Sequence, residues 1–310
     1  MVPGPESFEP WLRALTGFSE ARVRAIEPVD GGASNITCRV TLDGVEVPYV
    51  CLRVQRERGI FEPYDVVREG EVIRMLEKSA VPVPRMLGSE STAVPLGAPF
   101  IVMEWVDAPH MGIAADADFG AFTRAVVAIH QAAWEELGLG FIGVPGSVGA
   151  ALEAELNAVA ARMTNFGCAD DPVLRLALNA LRRTIPTDGR VALCQGDINI
   201  FNYLFRGGEV VAVVDWEQAR LSDPRSDVGQ LTALSHLKGA PWGDADAQGF
   251  VLAYGAAAGA RLTGMAWFRA RWLFELGVIY HGWVGFNASE PWYSWPDVSG
   301  LLVQAIAELD

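Results

Sequence analysis

Between Val191 and Trp216 the chain alternates strand and turn, and this apolar run carries three side chains that a purely structural hairpin would not choose. "VALCQ" enters a loop, "GDINIFN", and "YLF" leaves it; Arg206–Glu209 make a turn, and "VVAVVDW" returns as a strand. Gly196 lets the chain bend sharply before Asp197. Asp197 and Asn202 bracket the loop, and Asp215 stands at the end of the returning strand, so all three can point into one cleft. Taken singly, Asp and Asn are ordinary turn formers that bond the local backbone, and Asp215 could merely close a strand. Taken together, they are an oxygen-only set suited to a hard ion such as Mg²⁺, which uses few protein ligands and completes its shell with phosphate oxygens. An Asp beside such a set can orient a hydroxyl for attack on a phosphoryl group.

The rest of the chain divides around residue 106. Before it the pattern is strand-rich with one helix. "CRVTLDGVEVPYVCLRV" reads as two strands around Asp43–Gly44, and "PFIVMEWV" as a buried strand. The helix is "PYDVVREGEVIRMLEKS", with Val66, Val67, Val72, Ile73 and Leu76 near helical spacing. Beyond residue 107 helices dominate, predicted over 118–137, 148–164, 171–183, 224–238, 246–258, 265–283 and 298–309. The expected class is therefore α+β, with units at 1–106 and 107–310. Within the second, Asp223–Pro224 reads as a helix start, and His130 as a packed core histidine.

Composition narrows the function classes. A net charge of −14 and a pI near 4.7 argue against nucleic-acid and anionic-membrane partners. The four cysteines are scattered, and the four histidines lack metal-ligand spacing, which predicts reduced thiols and no zinc centre. The acidic start predicts no secretory leader, and no apolar run reaches bilayer-spanning length. A cytoplasmic location is the expectation. The sequence sets no oligomeric state.

At this point the order of motifs resembles a known family. "QGDINIFN" followed by "VVAVVDWEQA" is similar to the H-G-D-x-x-x-x-N … D-x-E pattern of aminoglycoside phosphotransferases and choline-kinase-like small-molecule kinases. "DGGASNITCRV" resembles that family's nucleotide-loop hairpin, "VCLRV" its phosphate-contacting strand, and "VVREGEVIRML" the helix with the partner glutamate. "VPVPRMLG" and "PFIVMEWV" resemble the strands leading to the hinge. "WLFELGVIYHGWVGFNAS" is similar to phosphotransferase domains associated with acyl-CoA dehydrogenases.

The resemblance implies a bilobal protein-kinase-like fold, with a small strand-rich N-lobe and a larger helical C-lobe. It also implies phosphoryl transfer from ATP or GTP to a small hydroxylated molecule with Mg²⁺. Asp197 would be the base or positioning group, and Asn202 and Asp215 the metal ligands. Gly31, Gly32, Ser34 and Asn35 would cap the phosphates. Arg53 would contact them, held by Glu69, and the backbone of Glu104 and Val106 would meet the nucleobase. Gln195 would brace the loop, and Glu217 and Asp227 would either support the metal loop or cap the local backbone.

Two departures from the pattern matter: Gln195 replaces the usual His, and Arg53 often a Lys. Arginine keeps the charge but changes the geometry, and glutamine cannot titrate. They leave a nucleotide-binding pseudoenzyme as the alternative to a kinase; a metal-dependent hydrolase fits the nucleotide-loop and hinge motifs poorly. The ten tryptophans could form a cage for a quaternary ammonium, though packing accounts for them more simply.

Overall fold

The computed structural model describes residues 4–29, 34–240 and 243–309; Gly31 and Gly32, expected in the nucleotide loop, lie outside the described residues. The first part is a five-stranded antiparallel sheet. It contains β1 (Arg22–Pro28), β2 (Ile36–Asp43), β3 (Tyr49–Val54), β4 (Met86–Glu90) and β5 (Phe100–Glu104) in the order β1-β2-β3-β5-β4. Side chains alternate across a strand, and β3 shows the consequence. Val50, Leu52 and Val54 pack on one face with Phe100 and Val102, while Cys51 packs on the other with Ile101 and Met103. Arg53 shares the parity of Cys51, and the register sets it between Thr37 of β2 and Ile101 of β5. A charged residue of β3 thus enters the face covered by α2 (Val66–Leu76), whose N-cap Asp65 accepts from the Arg68 N–H.

The opposite face is covered by α1 (Pro5–Arg13), which the sequence pattern did not reveal. Only Phe8 and Leu12 of this short helix are fully buried, too few for a periodic signal. They complete the second core cluster, and Trp11 meets Phe100 edge-on at 4.7 Å.

The second part holds α3 (Phe119–Gln131), α4 (Val148–Asn165) and α5 (Pro172–Arg183), then four short strands, then α6 (Arg225–Leu234), α7 (Asp244–Ala258), α8 (Met265–Asn287) and α9 (Trp295–Ala307). Four of these helices, α3, α4, α5 and α9, begin where a side chain caps them. Asp118, Ser147, Asp171 and Ser294 each accept from a backbone N–H of the first turn. The last of these starts α9 at Trp295, three residues ahead of the expected 298. The helix expected over 118–137 stops at Gln131, because Ala132 turns extended (ψ 131°). The strand "VALC" is β6 (Ala192–Cys194). It pairs with β9 (Arg220–Ser222), which the sequence reading missed, while β7 (Tyr203–Arg206) and β8 (Glu209–Val213) form the hairpin proper. Asp215 therefore lies two residues beyond its strand rather than at its end. No helix among the described residues is long and apolar enough to cross a membrane.

A buried ionic network ties α4, β9 and α8 together. Glu155 meets Arg220 at 3.2 Å and Arg271 at 2.9 Å, and Glu275 meets Arg271 at 2.7 Å and also pairs with Arg162. Burial opposes ionisation of Glu275, but Arg271, Arg162 and Arg220 outweigh it and hold the carboxyl at about 2. Its contribution is then fully present above the ordinary value of 4.5 and fades as pH falls toward 2. Glu275→Gln should cost about 3 kcal/mol at neutral pH by stranding buried arginines. Denaturant titrations should show that deficit constant from pH 7 to 5 and shrinking at lower pH.

Candidate active site

The loop after β6 is fixed from below by Asp227 in the first turn of α6. Its carboxylate accepts from the Gln195 N–H at 2.8 Å and the Gly196 N–H at 3.1 Å, and lies 3.1 Å from His130 Nε2. His130 Nδ1 is 2.7 Å from the Tyr254 hydroxyl. Burial pushes Asp227 up, but the bonds from His130, its charge and that of Arg220 bring it below the usual carboxylate range. His130, Cys194 and Asp227 bring ligand atoms within 4.8 Å of one another. Both imidazole nitrogens are already engaged, so this group is a packed brace and not a cation site. His130 is thus the core histidine that was expected, and Asp227 is tied to the loop backbone.

Gly196 has φ +88°, and a Cβ there would meet the Gln218 carbonyl at 2.3 Å, so the bend before Asp197 requires glycine. Asn202 donates to Asp197 twice, to Oδ2 at 3.0 Å and to the backbone oxygen at 2.9 Å. Gln230, one turn beyond Asp227, donates to Asp197 Oδ1 and accepts from the Ile198 N–H at 2.7 Å. Burial and the charge of Asp215 push Asp197 up to about 6, against the hydrogen bonds from Gln230 and Asn202.

Asp215 has φ +64°, a left-handed conformation costly for a residue with a side chain. Its neighbours hold it there. Trp216 is fully buried, donates from its backbone to Glu69 at 3.2 Å, and donates from its indole to the Val213 carbonyl at 2.9 Å. Gln195, itself fully buried, donates to the carbonyls of Val214 at 2.9 Å and Asp215 at 3.4 Å, and accepts from the Tyr203 hydroxyl at 2.8 Å.

Arg53 joins the two halves of the site. It donates to Glu69 at 2.9 Å, to Asp215 at 2.7 Å and to Glu217 at 3.2 Å, with Thr37 at 3.3 Å and Ser34 at 3.5 Å. Burial alone would lower its pKa, but three carboxylates outweigh it, and the guanidinium stays charged. Burial and neighbouring carboxylates raise Glu69 and Glu217, while Arg53 pulls both down.

These residues surround a cleft of about 1020 Å³, lined by Ser34, Arg53, Glu104, Val106, Asp197, Asn202, Asp215 and Glu217 among others. Glu69, Asn35 and Gln195 stand behind its surface. Asn35, expected to cap phosphates, instead donates to Glu217 at 3.1 Å and accepts from the Arg56 N–H at 3.2 Å. The Glu104 N–H is taken by the Arg85 carbonyl at 2.8 Å, and the Val106 carbonyl by the Ala108 N–H at 3.0 Å. Sequence reasoning missed Gln230, although its spacing of three from Asp227 puts both on one helical face. It also missed Arg68, which reaches across from α2 to the Glu217 and Ala219 carbonyls.

The donor set suits a hard divalent cation. Asp197, Asn202 and Asp215 offer oxygen ligands to one cleft, and burial together with the charge of Asp215 raises Asp197. Asn202 spends its amide nitrogen on Asp197, which leaves its oxygen as the ligand atom.

Comparison with known proteins agrees with this geometry. Residues 25–272 match the model of the phosphotransferase enzyme family. Acyl-CoA dehydrogenase family member 10 of Mus musculus is 24% identical over 245 residues, which make up 75% of this chain but only 22% of that protein. This chain thus spans about a fifth of that relative's length. Among solved structures, a protein from Ralstonia eutropha JMP134 assigned as an aminoglycoside phosphotransferase superposes with a TM-score of 0.74 at 20% identity, covering 99% of this chain and 97% of that one. A thermostable variant of aminoglycoside phosphotransferase APH(4)-Ia, in ternary complex with AMP-PNP and hygromycin B, gives 0.63 at 14% identity, with coverage of 98% and 97%. The fold is the expected α+β, bilobal and protein-kinase-like.

Replacing Gln195 by Leu would leave the Tyr203 hydroxyl and the Val214 carbonyl unpaired in the interior. The expected loss is about 1–3 kcal/mol of stability, read by urea unfolding. Gln195→His, which can also donate and accept, should stay close to the parent protein.

Proposed function

Because the chain belongs to the phosphotransferase enzyme family, we propose that it is a kinase moving the γ-phosphate of ATP, or of GTP, to a hydroxyl of a small molecule. The observation that carries this reading is the convergence of Asp197, Asn202, Asp215 and Arg53 on one cleft. The AMP-PNP and hygromycin B held by the structural neighbour support a nucleotide and a hydroxylated acceptor. The nucleotide-binding lobe would be 1–106 and the catalytic and substrate lobe 107–310, and four free, buried cysteines suit a reducing cytoplasm.

In this mechanism the Glu104 carbonyl and the Val106 N–H face the nucleobase edge, and Ser34 lies under the phosphates. Arg53, positioned by Glu69, contacts the phosphates. Asn202 and Asp215 would hold Mg²⁺, which would supply charge neutralisation at the phosphates. Asp197, held on both oxygens by Gln230 and Asn202, orients the acceptor hydroxyl and receives its proton. The hydroxyl oxygen forms the new bond to the γ-phosphorus as the bond to the β–γ bridging oxygen breaks, and the nucleoside diphosphate leaves with that electron pair. Most of the rate comes from positioning and charge neutralisation. Glu217 shares Arg53 with Asp215, and Gln195 bonds the Asp215 carbonyl.

One observation favours the pseudoenzyme alternative: Arg53 already neutralises Asp215 and Glu217, doing in part what a metal would do. ATP binding without phosphorylated product across a panel of hydroxylated metabolites and antibiotics, followed by mass, would select that alternative.

Asp215→Ala should abolish Mg²⁺-dependent ATP binding in calorimetry while far-UV circular dichroism is unchanged. Asp197→Asn keeps the shape and removes the charge; ATP affinity should persist while turnover falls by roughly 10²–10⁴. Arg53→Ala and Glu69→Ala should each weaken ATP use, and the double variant should lose clearly less than the sum.

A further inference from the structure

The cleft continues past Asp197 into a wall with little free charge. From Gln230, which holds Asp197, α6 leads one turn on to Leu234, also at the cleft surface. Beside it α8 presents Trp272, Glu275, Leu276, Ile279 and Trp283 at helical spacing, one face of one helix. The Trp272 indole bonds the Ser226 carbonyl of α6, which fixes the two helices side by side at this point.

The charges of this wall are already satisfied within the chain. Glu275 is its acid, and its two oxygens belong to Arg162 and to Arg271, the latter at 2.7 Å. An ammonium group would have to displace a buried guanidinium to reach it. Two of the ring faces here are also in use. Arg271 lies 4.6 Å from the Trp272 ring centre, and Arg162 lies 5.9 Å from that of Phe61 across the cleft. An anionic body would meet Asp197, Asp215 and Glu217 at the other end of the same cleft. What remains on offer along α8 is apolar surface, with Trp292 nearby 53% exposed, and a polar handle: the buried Trp283 indole N–H, which has no partner among the described residues.

We propose that the phosphoryl acceptor is a hydroxylated molecule with an uncharged, predominantly aliphatic body, which lies along α8 and presents its hydroxyl to Asp197. This identification rests on the kinase reading above. The Trp283 N–H receives an acceptor oxygen on that body, and a polycationic amino sugar finds no free carboxylate along the α8 face. At Trp272 and Phe61, arginines of the chain already take the places a quaternary ammonium would fill.

The test gives the full chain ATP and Mg²⁺ with 1-butanol, 1-hexanol and 1-octanol, and with kanamycin and choline as cationic comparators. Product is followed by mass and ATP binding by calorimetry. The expected result is a kcat/KM that climbs about threefold to fourfold for each added methylene, with no product from either cation. Trp292→Ala, at an exposed position that leaves the fold undisturbed, should lower the 1-octanol value at least fivefold while ATP affinity reports an intact nucleotide site. A tryptophan-fluorescence titration with 1-octanol reads the apolar wall without nucleotide. Turnover that is flat across the alcohols, or better with kanamycin or choline, overturns the apolar acceptor alone; ATP binding with no product from any of them favours the pseudoenzyme. A fluorescence response to 1-octanol without ATP binding overturns the kinase reading alone.

Discussion

One buried guanidinium holds this site together. Arg53 reaches from the sheet to Glu69 on α2 and to Asp215 and Glu217 in the loop that follows β8. Glu69 and Glu217 sit where water is scarce, and without the cation at least one of them would have to take up a proton. The β3 register, the position of α2 and the left-handed turn at Asp215 thus depend on the same charge. The arginine fork suits this task better than a lysine would, since its nitrogens serve separate partners in one plane.

A second layer keeps the loop around Asp197 in place without touching the cleft. Asp227 gathers two backbone N–H groups, His130 orients Asp227, and Gln195 links the loop to Val214 and Asp215. Strain at Asp215 persists because Trp216 and Gln195 over-determine it from both sides. A titrating histidine at position 195 is not needed for this, because hydrogen-bond capacity alone makes the link.

The parts of the fold legible in the sequence were those with strong local signals. The helix over Val66–Leu76 has periodicity and an aspartate cap, and Asp197, Asn202 and Asp215 stand out as oxygen ligands in an apolar run. Other features depend on partners far away in the chain. β9 is three residues long and exists because β6 pairs with it; α1 is helical because the sheet gives Phe8 and Leu12 a place to be buried. Asn35 shows the limit of motif reading: its place in the pattern suggested phosphate, while its side chain bonds Glu217, 182 positions away. Gln230 was missed because an amide in a helix carries no signal until the loop it grips is folded against it.

The helix α1 has a practical consequence. The region matching the family begins at residue 25, yet Phe8, Leu12 and Trp11 cover the sheet face formed by Val50, Leu52, Phe100 and Val102. Glu9 also accepts from the Val23 N–H at 2.8 Å, at the start of the edge strand β1. A chain trimmed to the matching region would present a bare apolar face next to an unprotected strand edge, the combination that drives sheet-to-sheet association. The segment outside the family signature therefore acts as a built-in solubility cover for the lobe.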